Sequence, residues 1–261
     1  AGVEGEDLSY NYQSISVQGF GSNDSPFISN SSNVSSYAGE GYGYGLFSVL
    51  TTADYSYKSR YLASASYRMD HSSMFAPGHR GGNFWSVSAG YDLAKERYMR
   101  KLRRNVNKLK VKASYGVNGT LPTQYYAWQD RYATVRYTNE LGVYSSYRYC
   151  PDLSWEQNRI CNVGIDASFF RNRLDLSVEY FYRKSRNLLQ DVNVSMVSGF
   201  RTMLMNTDAG IRNRGVEFSL DGTAIRSDKV RWDIGLKLSG LSSVYYGLAN
   251  QYLDEYSRQI V

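Results

Sequence analysis

Two stretches of this chain, from Asn162 to Arg183 and from Val216 to Ser239, alternate apolar and polar residues with a period of two. In the first, Val163, Ile165, Ala167 and Phe169 share one face, with Gly164, Asp166 and Ser168 on the other. Past Arg171-Asn172 the pattern resumes, Leu174, Leu176, Val178, Tyr180 and Tyr182 opposing Arg173, Asp175, Ser177 and Glu179. Val216, Phe218 and Leu220, then Val230, Trp232, Ile234, Leu236 and Leu238, repeat it. Successive strand side chains point to opposite faces, so such segments are strands with one apolar and one wet face. Runs of about ten residues ending in aromatics match what a membrane-spanning strand requires. The reading is a piece of a membrane β-barrel.

Composition agrees. Tyr numbers 25 and Phe plus Trp 14, against only 4 Pro, a balance suited to long strands with tyrosine-rich interfaces. Mean hydropathy is −0.48, and no stretch approaches the roughly 18 apolar residues of a spanning helix. A membrane chain without such a run must be a barrel, because only a closed barrel otherwise satisfies its backbone groups in lipid. Composition alone leaves a secreted β-sandwich open.

The strand signals come in pairs: 47–57 with 61–69, 83–93 with 109–118, 162–170 with 173–187, and 212–224 with 229–240. About eight strands run up and down, with connections alternately short and long. Barrels of this type keep short turns on the periplasmic side and long loops outside. The turns at 58–60, 171–172 and 226–229 and the segment 95–108 then face the periplasm, and the loops at 70–82, 119–161 and 188–211 face outward. Residues 1–45, rich in Ser, Asn, Gly and Tyr, read as an external loop, 46–240 as strands and loops, and 241–261 as a further external loop. There is no sign of a second domain. The chain opens on no signal peptide and reads as mature or a fragment.

Formal net charge is +6, and seven of the fourteen residues from Lys95 to Lys108 are Lys or Arg. Such a run can bind nucleic acid or anionic lipid. No groove-reading motif accompanies it, so a short solvated helix is expected there, and no nucleic-acid partner. Cys150 and Cys161 lie in the loop region with no CxxC or histidine partner, which leaves a structural disulfide or two free thiols. No metal or cofactor is expected. Asp70, His71, Ser72 and Ser73 offer the residue types of a hydrolase, but adjacent residues do not adopt triad geometry, and the sequence fits a turn cap. No enzymatic activity is expected. The long loop carries Tyr125, Tyr126, Trp128, Tyr132, Tyr137, Tyr144, Tyr147 and Tyr149. Exposed aromatics suit stacking on sugar rings or anchoring a protein partner, and packing within the loop is the alternative. Tyr125, Tyr126, Trp128 and Tyr144 are the candidate contacts. Charges on the wet face, among them Arg68, Lys112, Asp166, Glu179 and Glu217, line a lumen.

Four segments, in order, resemble the SusC/RagA family of TonB-dependent transporters. YRMDHSSMFAPGHRGGNFWSVSAGYDLAKERYM is similar to that family's R-x-D-G-S-S-x-F stretch, with His71, Trp85 and Tyr91 standing where Gly, Pro and Trp are usual. LKVKASYGVNG, PDLSWEQNRICNVGIDASFFRNRLDLSVEYFYRKSRNLL and GFRTMLMNTDAGIRNRGVEFSL resemble three further family segments, the last stretched by one residue near Asp208-Ala209-Gly210. The resemblance implies an all-β, transmembrane, antiparallel up-and-down barrel, of which this chain holds about eight strands of 22. It further implies an outer-membrane, multi-pass location in a Gram-negative bacterium and import of oligosaccharides or peptides. Its partners would be outer-membrane lipid, a SusD-like lipoprotein lid, TonB acting through a plug, and the remaining barrel and plug segments. Eight open strands would leave two bare edges in lipid. The chain is therefore expected to be a middle portion of such a barrel or one chain of a split one, a self-closed small barrel being the remaining option. A scaffold subunit of a composite barrel, without transport of its own, is the alternative function.

Overall fold

The computed structural model describes residues 1–247 except 23, 139, 195, 196, 198, 201 and 228. A single nine-stranded antiparallel sheet runs in the order β1 (Gly2–Phe20), β2 (Ser31–Tyr57), β3 (Tyr61–Ser72), β4 (Gly81–Asp92), β5 (Val106–Thr120), β8 (Glu156–Phe169), β9 (Leu174–Arg186), β12 (Gly210–Arg226) and β13 (Arg231–Tyr246). Two of the long connections carry a separate hairpin, β6 (Arg131–Tyr137) with β7 (Glu140–Tyr147) between β5 and β8, and β10 (Leu188–Asn193) with β11 (Thr202–Thr207) between β9 and β12. The sheet is not closed on itself: β1 and β13 each have one strand partner among the described residues.

The register divides the sheet into two unlike faces. Along β3, Tyr61, Ala63, Ala65, Tyr67 and Met69 are exposed, and Leu62, Ser64, Ser66, Arg68 and Asp70 are partly or fully covered. Pairing carries the outward set across the sheet, Ala65 beside Val87, Ala113 beside Val163, Val163 beside Tyr180, and Tyr180 beside Val216. Apolar side chains stand outside and polar ones inside, the reverse of a protein folded around an oily core. Aromatics edge the outward face at both ends. Tyr57, Tyr61 and Tyr91 stack at the short-turn end, with ring centroids 6.3 and 5.0 Å apart. Tyr67, Trp85 and Tyr115 sit toward the loop end, Trp85 5.6 Å from Tyr115. On β9 the outward run from Leu174 to Tyr182 covers eight steps, about 26 Å at roughly 3.3 Å each, close to the height of a barrel's apolar band.

The short turns hold left-handed backbone without glycine. Lys58 and Ser59 both have φ of 51°, the pair of conformations a tight hairpin needs to match strand twist. Phe170, Arg171 and Asn172 follow suit at 52°, 61° and 60°. Asn107 secures them, its Oδ1 accepting from the amides of Arg171 at 2.6 Å and Asn172 at 3.3 Å. The basic connection is not an α-helix but two 3-10 turns, Leu93–Lys95 and Tyr98–Lys101. It is tied down by Glu96, which accepts from Tyr61 at 3.1 Å and from Arg60 at 3.2 Å.

Several sequence expectations are corrected. Residues 1–45 are not irregular: most of them form β1 and the first half of β2, a hairpin in register from Gly2 with Leu50 to Phe20 with Ser31. Beyond the apolar band its apolar residues change faces, from Tyr10 and Tyr12 to Ile15 and Val17 on β1, which breaks the period that betrays a strand. Residues 241–246 belong to β13, and the rest of the expected terminal loop, apart from Gly247, lies outside the described residues. β8 begins at Glu156, so Cys161 is in a strand, not a loop.

Candidate functional site

At the loop end of the sheet, the inward face is capped by the molecule's one hydrophobic cluster among the described residues. Phe75, Phe84, Ala127, Cys150, Leu153, Trp155 and Leu204 form it, from three loops and one strand. Phe75 and Leu153 are fully buried. Trp155 is the keystone: its ring centroid lies 4.8 Å from Phe75 and 5.2 Å, edge-on, from Phe84. Its Nε1 donates to the Arg80 carbonyl at 3.1 Å, and Arg80 Nε returns a bond to the Phe75 carbonyl at 3.2 Å. A Cβ at Gly119 would enter the ring of Phe84, so the glycine makes room for this packing. Asn206 on β11 then stitches the second hairpin to the cap, donating to the carbonyls of Ser154 at 2.8 Å and Asn187 at 3.1 Å and accepting from the Ser154 amide at 2.7 Å.

The aromatic loop leans against the long β1–β2 hairpin. Tyr125 stacks on Tyr42 at 4.1 Å, and Tyr42 on Tyr10 at 4.6 Å. The Tyr126 hydroxyl accepts from the Gly43 amide at 3.0 Å. Tyr44 donates to Glu6 at 2.6 Å, and this bond pushes its phenol up. Arg136 on β6 reaches Tyr37, donating to its hydroxyl at 2.7 Å. Of the four aromatic candidates, Tyr125 and Tyr126 brace the loop against the hairpin and Trp128 packs on the cap. Tyr144, 53% exposed, pairs with Ala133 on the β6–β7 hairpin; Tyr137 shares its face nearer the hairpin tip and Tyr132 takes the other face (82% and 67% exposed). The reach of Tyr42 and Tyr44 toward this loop escaped sequence reading because the hairpin that carries them did; the GEGYGYG repeat was the available signal.

Below the cap the inward face is a polar trough. Lys112 bridges Asp166 at 3.3 Å and Glu179 at 2.9 Å. Arg68 bridges Glu4 at 2.9 Å and Asp70 at 2.6 Å and donates to Ser48 at 2.8 Å. Ser64, Ser88, Gly90 and Ser114, with Lys110 and the Lys112–Glu179 pair, line a concavity of about 440 Å³. The hydrolase residues do not assemble: His71 is on the outward face of β3, Ser72 is buried on the inward one, and Asp70 is held by Arg68. Cys150 and Cys161 are both free, a correction of the disulfide alternative. Cys150 sits in the cap, where burial pushes its thiol up, while Cys161 points out of the opposite face of the sheet in line with Val163. No group of residues that could hold a metal ion occurs among the described residues, and no helix there is long and apolar enough to cross a membrane.

An inside-out sheet with a loop-built cap is the wall of a barrel, and the family model for the TonB-dependent receptor-like β-barrel matches residues 2–259. The chain belongs to that family. It is 29% identical over 201 residues to TonB-dependent receptor P26 of Formosa agariphila, covering 76% of this chain and 20% of that protein. To the TonB-dependent receptor SusC of Bacteroides thetaiotaomicron it is 25% identical over 206 residues, 74% of this chain and 20% of that one. The chain thus spans about a fifth of the length of these curated relatives. Among solved structures it resembles the RagAB peptide importer in its closed-closed state, with a TM-score of 0.82 and 26% identity over 94% of this chain and 28% of that chain. The open-open state gives 0.80. The nine strands are therefore a SusC/RagA-like sector of a larger TonB-dependent barrel, one strand more than the pattern of the sequence predicts.

Proposed function

We propose that this sector forms part of the wall and external loops of an outer-membrane importer energised through TonB. The observation that carries the reading is the inverted sheet: apolar residues girdled by aromatics face outward, and paired charges face inward. In this reading the short turns lie in the periplasm and the capped loops outside the cell, and β1 and β13 pair with further strands to close the barrel. The similarity to SusC and to the RagAB importer supports a SusD-like lipoprotein as lid and an oligosaccharide or peptide as cargo. Tyr144, Tyr132 and Tyr137 are the contacts for lid or cargo, since they are exposed while Tyr125, Tyr126 and Trp128 hold the loop in place.

The test is uptake by cells producing the complete receptor, with and without TonB, offered labelled oligosaccharides and labelled peptides. Receptor- and TonB-dependent accumulation of either class is expected. Equal accumulation with and without the receptor sinks the importer reading and leaves the scaffold role. Changing Tyr144, Tyr132 and Tyr137 together to Ser is expected to lower retention of the lipoprotein on co-purification, while the folded barrel persists.

A further inference from the structure

The outward face changes character abruptly at its loop end. Two residues past Tyr182 on β9 come Lys184 and then Arg186, both in the outward set that begins at Leu174. The register sets Arg159 of β8 on one side of Lys184 and Arg212 of β12 on the other, so three cations stand abreast on adjacent strands. Arg214 lies in the same outward set, beside Tyr182. Strands are about 4.8 Å apart, and like charges placed directly opposite destabilise a sheet. Among the described residues none of these side chains enters an ion pair with a carboxylate, and the Lys184 ammonium lies over the ring of Tyr246, 4.7 Å from its centroid. The carboxylates on the inward face differ, because Glu179 is held by Lys112 and Asp175 and Asp221 by Ser168 and Ser219.

The cations also enclose space. Arg159, Lys184 and Arg186, with Gln157, Asp208 and Tyr246, line a concavity of about 480 Å³. Arg159 Nε is buried and has no hydrogen-bond partner among the described residues. A buried guanidinium N–H left unmatched costs free energy that a bound oxyanion would recover. The planar fork of arginine, flanked by a lysine, suits the oxygens of a phosphate ester.

The position narrows the ligand further. The row begins where the outward apolar run ends, at the level where a lipid's head group follows its acyl chains, and Tyr115 and Tyr182 mark that interface. We infer that Arg159, Lys184, Arg186 and Arg212 bind the phosphate of a phosphorylated lipid in the leaflet facing the loops, with its acyl chains lying against Val163, Tyr180 and Val216. This inference rests on the membrane-barrel reading above.

The experiment is native mass spectrometry of the complete receptor in detergent, titrated with diphosphoryl lipid A and with the same lipid stripped of phosphate. The wild type is expected to retain the phosphorylated lipid about tenfold or more tightly than the stripped one, and Arg159→Gln/Lys184→Gln/Arg212→Gln to lose that preference. Asp208→Asn, which removes the carboxylate from the rim, is expected to strengthen retention and serves where the triple variant does not fold. An unchanged preference in the triple variant, no strengthening in Asp208→Asn, or equal retention of both lipids overturns the inference. So does full displacement by millimolar inorganic phosphate, which marks a free-anion site. Failure of the receptor to enter lipid vesicles overturns the barrel reading itself, and is read separately by flotation.

Discussion

At the scale of single residues, the two cysteines and Glu96 give the cleanest tests. Cys150 is buried in the cap with its thiol pushed up by burial, and Cys161 lies across the sheet from it. Folded receptor is therefore expected to run identically with and without reductant, and Cys150 to react with maleimide only after denaturation. A mobility shift on reduction would refute this. Partial burial of Glu96 pushes its carboxyl up, but hydrogen bonds from Tyr61 and Tyr91 and the guanidinium of Arg60 outweigh it and hold the group below its ordinary range. A carboxyl lowered on folding contributes stability that is complete above its unfolded value and fades as pH falls through the folded one. Denaturant midpoints are expected to drop on acidification below about pH 4.5 more in the wild type than in Glu96→Gln. Parallel pH profiles would show that Glu96 does not anchor the turn. Neither feature was visible beforehand, because the partners of Glu96 come from β3 and β4 and those of Cys150 from three loops.

At the scale of elements, legibility followed the apolar band. The strands from β2 to β13 that cross it were readable wherever Val, Leu, Ile and Tyr alternate with Ser, Asp and Lys, as from Leu174 to Tyr182. β1, the outer half of β2 and the β6–β7 and β10–β11 hairpins were not, since outside the band their apolar residues keep to no single face: they switch faces between Tyr12 and Ile15 on β1, and Met203, Leu204 and Met205 run consecutively on β11. Strand pairing there is fixed by distant partners such as Arg136 on Tyr37 and Asn206 on Ser154. The cap was not legible: nothing local in PDLSW ties Leu153 and Trp155 to Phe75, which lies in a different loop. Its tight point is Gly119. Gly119→Val is expected to displace the Phe84 ring and loosen all three loops, at a cost of about 1–3 kcal/mol, while the spanning strands remain folded. Limited proteolysis should then cut between 120 and 155 in the variant and spare the wild type; equal resistance would mean that the loops do not depend on this contact.

At the scale of the whole molecule, the inverted sheet predicts opposite tolerances on neighbouring positions. Val178 faces outward and Ser177 inward, one residue apart on β9. In lipid, Val178→Arg is expected to destabilise the folded receptor by about 2–4 kcal/mol, whereas Ser177→Arg, set among Asp166, Glu179 and Glu217, should cost far less. Urea titrations in lipid vesicles decide it, and the reverse order would mean that the outward face does not meet hydrocarbon. Strand order also has a consequence for how such a wall is made. Every neighbour in the sheet follows its predecessor directly or after one self-contained hairpin, so the wall can grow from an edge by adding local hairpins. The cap cannot follow that schedule. Phe75 is made early and must wait for Leu204, which arrives only after β9 and β10. The cap is thus a latch that fastens late, and a barrel whose outer loops are locked is one whose strands have already been laid in the right order.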